Sequence, residues 1–312
     1  MKGLHIFYYH LVSDVYKDYY PHSNIISTKL FEKQIKYFVN KFELITINEA
    51  YQRFKSGYKF DNQAVITTDD GFVENYSVVC NILEKYNVKG SFFLIEDSID
   101  NNNFMWRHAL FVLKSKMLNF GLQKAISSLL HDFDLPEPTI KEDLLNWSSR
   151  TFSYKLKDQL TNDLWTKLMP NSINDYLITN KPYLNYVQIK EMLESGHVIG
   201  GHTRTHPISS FLSQEDIKYE IYDSTKSLAN KFNTNVLAFS FPFERSNRVT
   251  EILINNFNEI KVLLGTKMRT HANLCSPYYW ERINMETRSY KSRLLLEPWN
   301  NQLRSRQPSK FF

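Results

Sequence analysis

Two short segments carry residue types that can do chemistry together. The first is Thr67-Thr68-Asp69-Asp70-Gly71, the second Gly200-Gly201-His202-Thr203-Arg204-Thr205-His206-Pro207. Adjacent carboxylates after the apolar run Ala64–Thr68 are costly unless something compensates them, and a turn at Gly71 can bring both into one pocket. A metal would take one carboxylate and leave the other free as a base; the alternative is a turn whose Asp caps the following helix. Histidines at i and i+4 can share a metal, and here the glycine pair before them and the proline after them argue for a strand end entering a loop. The alternative is two polar loop histidines. Taken together, Asp70, His202 and His206 make a two-histidine, one-carboxylate set. Three protein ligands leave coordination positions for water and substrate, as a catalytic rather than a structural metal site requires.

These residues need a scaffold that brings strand ends to one face, and the sequence patterns supply one. Leu4–Val12 and Ala64–Thr68 read as buried strands, and 90–95, 197–200 and 236–241 as further strands. Shorter ones are expected at 42–47, 260–264 and 280–284. Between them lie helical periodicities: 28–40 with Thr28 as its cap, then 48–55, 74–86, 185–195, 213–232 and 247–256. This βαβα alternation predicts an α/β fold with a parallel sheet, whose sites form at the carboxyl ends of the strands. The alternation pauses over 104–184, where long helical patterns without a clear strand predict a helical insertion within one catalytic domain spanning 1–312. No internal repeat is present.

Composition narrows the field. The chain has 312 residues, 42% hydrophobic and 23% charged, the profile of a folded protein rather than a disordered one. Its net charge of +5 comes without a block of like charges, which argues against nucleic-acid binding but favours an anionic substrate or membrane surface. The two cysteines, Cys80 and Cys275, fit no metal or redox spacing and suggest a reducing compartment. Neither a signal peptide nor an apolar run long enough to span a membrane is read, so a cytoplasmic location is expected, with peripheral membrane contact allowed. Only nine residues are glycine. Four of them, Gly71, Gly196, Gly200 and Gly201, fall in or beside the two motifs.

The ordered segments ITTDDGF, GSFFLI, GHVIGGHTRTHP and AFSFPFE resemble the motifs of the polysaccharide deacetylases, the NodB-homology group or carbohydrate esterase family 4. FYYHLV near the start and WERINM near the end are similar to the ends of one branch, in which a YHxV strand opens the barrel and an RI strand closes it. The stretch between resembles the variable insertion of some members, often opened by a tryptophan as in Met105-Trp106-Arg107. The resemblance implies a deformed (β/α)7 barrel and one divalent metal, usually zinc, sometimes cobalt or nickel. It also implies hydrolysis of an N-acyl or, less often, an O-acetyl group on a sugar. Carried over by motif, Asp69 is the general base, and Asp70, His202 and His206 are the metal ligands. The usual late Leu-x-His acid is absent. His10, at the end of the first strand, takes that role by similarity to YHxV members, with His271 as the runner-up. Thr68 stands where the family usually has Phe, and Glu244 follows Pro242-Phe243 where Gly is usual. The arginine that steadies the base elsewhere is missing, and Arg282, at another expected strand end, is the candidate to replace it. His197 is expected to pack, and His5, His22, His108 and His131 have no motif support.

These features predict a sugar N-deacylase, removing acetyl or formyl, that acts on a nucleotide- or lipid-linked saccharide in surface-glycan synthesis. A metal-dependent O-acetyl esterase and a non-catalytic carbohydrate-binding protein are the alternatives.

Overall fold

The fold is seen in a computed structural model, which describes residues 3–116, 126–127, 129–137, 143–267 and 276–286. Among the described residues, nine short strands join in one all-parallel sheet: β1 (Leu4–Tyr9), β2 (Glu43–Leu44), β3 (Gln63–Thr68), β4 (Ser91–Leu94), β5 (Val198–Gly201), β6 (Ala238–Ser240), β7 (Val262–Gly265), β8 (Trp280–Glu281) and β9 (Ile283–Asn284). Their order is β8-β7-β6-β5-β4-β3-β1-β9, with β2 filling the amino-terminal half of the β3 edge beside β4. β8 and β9 are two halves of one segment broken only at Arg282. The first half pairs with β7 and the second with β1, so this segment closes the sheet into a barrel.

Every residue of β1 and β3 is buried, as expected for parallel strands covered on both faces. The outer helices form where the sequence caps them. Helix Thr28–Lys41 turns Phe31, Ile35 and Phe38 toward the core, and its cap is Ser27, one residue before the Thr28 expected, because the Ser27 hydroxyl accepts from the Leu30 amide. Helices Ile47–Lys55 and Tyr186–Glu194 start at reciprocal capping boxes, Thr46 with Glu49 and Asn185 with Gln188. β1 stops at Tyr9, three residues short of the run read from sequence. That places His10 just beyond the strand end, and Val12 makes an isolated bridge to Ile26 instead.

The 104–184 segment is helical where described: Trp106–Lys116, Leu144–Thr151, Lys157–Leu168 and Ile173–Asn180. These helices enclose a second apolar cluster that includes Trp106, Leu110, Trp147, Leu160, Leu164 and Trp165. Phe72 and Tyr183 belong to the same cluster and join in an antiparallel bridge, so the insertion is packed directly on the β3–helix turn that bears the two aspartates.

Candidate active site

The carboxyl ends of β1, β3, β5 and β6 and the start of the insertion surround a cleft of about 280 Å³. His10, Asp69, Asp70, His202 and His206 all line it, together with Arg107, His108 and the rings of Tyr8, Tyr20, Phe111 and Phe243. His271 lies outside the described residues.

Asp70 follows β3 in the left-handed region at φ 69°, with Gly71 beside it at φ 70°. Thr203, His206 and Phe243 around the same cleft also have positive φ. Such conformations cost about 1–3 kcal/mol each for non-glycine residues and persist only where surrounding contacts over-determine them. Those contacts are visible at the histidine loop. The buried Glu220 carboxylate accepts from the amides of Arg204 and Thr205 and from the Thr205 hydroxyl. The Thr203 hydroxyl accepts from the His206 amide at 2.8 Å, and Trp106 Nε1 donates to the His206 carbonyl at 2.9 Å. Gly200 is needed just upstream, because a Cβ there would sit 2.3 Å from the Phe93 ring.

Asp70 Oδ1 is buried and has no hydrogen-bond partner. It faces His202 Nε2 at 3.4 Å and His206 Nε2 at 3.5 Å. Two donors held tetrahedrally about 2.1 Å from a zinc ion stand roughly 3.4 Å apart, so the spacing suits one cation between the three groups. His202 Nδ1 contacts the Ser240 carbonyl at 2.8 Å, which makes Nδ1 the protonated nitrogen and leaves Nε2 as a lone-pair donor. Charge states agree. Burial alone would raise the Asp70 pKa, but the His108 hydrogen bond and the charge of His10 hold it well below the usual carboxylate range. Burial drives the His206 pKa well below that of free imidazole. An ionised carboxylate and a neutral imidazole are the forms that bind metal.

Asp69 has a different environment. Arg282, fully buried, grips it in a two-pronged ion pair, Nη1 to Oδ1 and Nη2 to Oδ2, both 2.7 Å. The same guanidinium donates to the Ser240 hydroxyl and the Gly265 carbonyl and lies 4.4 Å from the Tyr8 ring centre. Burial pushes the Asp69 pKa up, and the charge and hydrogen bonds of Arg282 more than reverse this, so it stays ionised.

His10 is the third element. Its Nδ1 donates to Glu286 Oε2 at 2.9 Å, while the His10 amide and the Tyr20 hydroxyl donate to the same carboxylate. Burial by itself would lower the His10 pKa; the Glu286 charge and hydrogen bond, with the charges of Asp70 and Asp69, raise it to about 9. His10 is therefore a cation at neutral pH, with Nε2 left to give up a proton.

Sequence reasoning passed over two of these residues. His108, set aside for want of a motif, is buried with Nε2 3.3 Å from Asp70 Oδ2. The signal was its place two residues after the tryptophan that opens the insertion. Glu286 follows the RI segment by three residues, and nothing in its local pattern marks it. His197 packs as expected, its Nδ1 accepting from the Gly90 amide, with Phe92 against its ring.

The sequence model for polysaccharide deacetylases matches residues 58–143 and 171–259, more than half of the chain. The chain belongs to the polysaccharide deacetylase family. The gap in the match falls within the helical insertion. No curated protein matches the chain by sequence. Among solved structures, the deacetylase PplD of Streptococcus pyogenes, in complex with acetate, superposes with a TM-score of 0.60 at 18% identity, covering 95% of this chain and 99% of that one. IcaB of Ammonifex degensii gives 0.55 at 16% identity, with 93% and 94% covered. A de-N-acetylase of Aggregatibacter actinomycetemcomitans gives 0.55 at 16%, with 94% and 99% covered. These likenesses extend over nearly the whole chain, insertion included, and bear out the deformed parallel barrel.

Proposed function

We propose that this deacetylase hydrolyses an N-acyl group, acetyl or formyl, from an amino sugar that carries a phosphate, as nucleotide- and lipid-linked saccharides do. The observation that carries the reading is the coexistence in one cleft of a carboxylate clamped by Arg282, a histidine clamped by Glu286, and an Asp-His-His set whose ligand atoms all lie within 4.8 Å of one another. A divalent cation held by Asp70, His202 and His206, zinc by preference, would supply Lewis acidity, polarising the acyl carbonyl and making water acidic enough to attack near neutral pH. Asp69, held ionised and oriented by Arg282, accepts the proton of the attacking water. His10 delivers the Nε2 proton to the departing amine, a poor leaving group without it, and Glu286 keeps that proton in place.

The preference for an amide rests on His10, since an alkoxide leaves more readily than an amide anion and needs a strong acid less. The anionic substrate is supported by Arg107. Its guanidinium reaches the cleft wall 5.2 Å from the Phe243 ring centre and has no salt-bridge partner among the described residues. The aromatic walls suit the apolar face of a sugar ring. Cytoplasmic action is part of the proposal, supported by the buried free thiol of Cys80. No helix of the described residues is long and apolar enough to cross a membrane.

The test is release of free amine from N-acetyl and N-formyl hexosamines, free, as 1-phosphates and as nucleoside diphosphate sugars, with matched O-acetyl sugars alongside. Faster turnover of the phosphorylated amides supports the proposal. Turnover of esters alone would make the enzyme an O-acetyl esterase, and sugar binding without turnover would make it a binding protein.

A further inference from the structure

The metal ligands assigned above come from the barrel, yet one of them is gripped from outside it. His108 sits in the first turn of helix Trp106–Lys116, is buried, and is boxed in by aromatic rings, with Phe72 4.8 Å and Tyr183 5.8 Å from its ring centre. Its Nδ1 lies 2.7 Å from the Tyr183 hydroxyl, and its Nε2 lies 3.3 Å from Asp70 Oδ2. Tyr183 Oη already accepts the Met105 amide at 3.2 Å and is also hydrogen-bonded to the Ser98 side chain, whose own hydroxyl can donate to it. A phenol is protonated at neutral pH and must place its one hydrogen somewhere; the short contact puts it on His108 Nδ1. With Nδ1 as acceptor, the neutral imidazole carries its proton on Nε2, pointed at Asp70 Oδ2. The two oxygens of Asp70 thus have separate surroundings. Oδ2 faces an N–H donor, while Oδ1 has no hydrogen-bond partner and faces His202 and His206.

We propose that His108, fixed in tautomer and orientation by Tyr183, is a positioning residue that engages Asp70 Oδ2 and makes Asp70 a one-oxygen metal ligand through Oδ1. The consequence is chemical. A carboxylate free to bind through both oxygens would occupy a coordination position that water and the acyl oxygen need, so holding Oδ2 keeps the site open. It also makes the helical insertion a working part of the metal centre. Trp106 fixes the loop of His206, and two residues later His108 fixes Asp70. The inference rests on the metal-binding half of the proposed function and not on the identity of the substrate.

The test measures metal affinity, independently of turnover. Metal-free protein is titrated with Co2+, followed by its visible absorption, and with Zn2+ against a chelating dye, for the wild type and for His108→Ala, His108→Gln and Tyr183→Phe. Outer contacts of metal ligands are commonly worth 10–100-fold in affinity, so His108→Ala should weaken binding by about that factor and alter the Co2+ spectrum. His108→Gln, whose amide N–H can still reach Oδ2, should recover most of the loss. Tyr183→Phe preserves the packing and should weaken binding by about threefold or more in the same direction; it decides the matter if His108→Ala does not fold. Unchanged affinity in Tyr183→Phe and His108→Ala overturns the proposal. So does a loss in His108→Ala as complete as that in His206→Ala, which would make His108 a ligand. Wild-type protein that binds no metal overturns both this inference and the proposed function, whereas normal binding with no amine release sinks only the latter.

Discussion

Replacing Glu286 by Gln should move the alkaline limb of the pH–rate profile while leaving the acid side in place. Glu286 is the main influence that raises the His10 pKa from 6.5 to about 9 against the opposing effect of burial. At pH 8 a group of pKa about 9 is roughly 90% protonated, whereas one returned to the ordinary value of 6.5 is about 3% protonated. If His10 is the general acid, the variant should therefore lose about 30-fold in kcat at pH 8 and less than about twofold at pH 6. Gln keeps the size and the hydrogen-bonding reach of Glu, so packing is conserved. The assay is amine release from an N-acyl sugar between pH 5.5 and 10. Equal alkaline limbs in the two proteins would refute the assignment of His10 as acid. Stability gives a second reading of the same shift. A folded-state pKa above the unfolded value contributes stability that is complete below pH 6.5 and is lost as pH rises through about 9. A rise of this size is worth roughly 3 kcal/mol. The gap in unfolding free energy between wild type and Glu286→Gln should accordingly narrow between pH 6 and pH 10.

Other substitutions separate the remaining roles. Asp69→Asn should abolish turnover while Co2+ or Zn2+ still binds, and near-normal activity would mean that the base lies elsewhere. His206→Ala should lose metal, read by equilibrium dialysis, together with activity. Arg282→Ala leaves a buried, unpaired Asp69 and should lower stability by about 3–5 kcal/mol in denaturant titration, with activity lost as well. Arg107→Ala should raise KM for phosphorylated substrates far more than for free sugars, and equal effects on both would remove the argument for an anionic substrate.

The parts of this structure legible in sequence are those written in local patterns. The apolar run of β3, the capped helices and the two metal motifs each depend on neighbours a few residues away, and the strand-end rule then brings Asp70, His202 and His206 to one face. His108 and Glu286 escaped because their partners are remote. His108 meets Asp70 across 38 positions, and Glu286 meets His10 across 276. Only chain closure and docking of the insertion create those contacts. The expected strand through Val12 failed for a related reason. The His10 and Leu11 amides turn to the Glu286 carboxylate, and Val12 pairs with Ile26, so the strand ends where the site begins.

The barrel's last segment explains why closure and chemistry are joined. Trp280–Glu281 pairs with β7 and Ile283–Asn284 pairs with β1, and the single residue between them, Arg282, is the one that grips Asp69. Four residues on, Glu286 grips His10. The proposed base at the end of β3 and the proposed acid at the end of β1 are thus both oriented by one short stretch that arrives last in the chain. An open barrel would leave Asp69 buried without its counterion and His10 without the charge that keeps it protonated. The cost of an unpaired buried carboxylate, several kcal/mol, therefore adds to the backbone hydrogen bonds in favouring closure. The same two ion pairs that poise the site for catalysis help to zip the fold, so weakening either should loosen the barrel at its β8/β9 seam before it disturbs the metal ligands on β3 and β5.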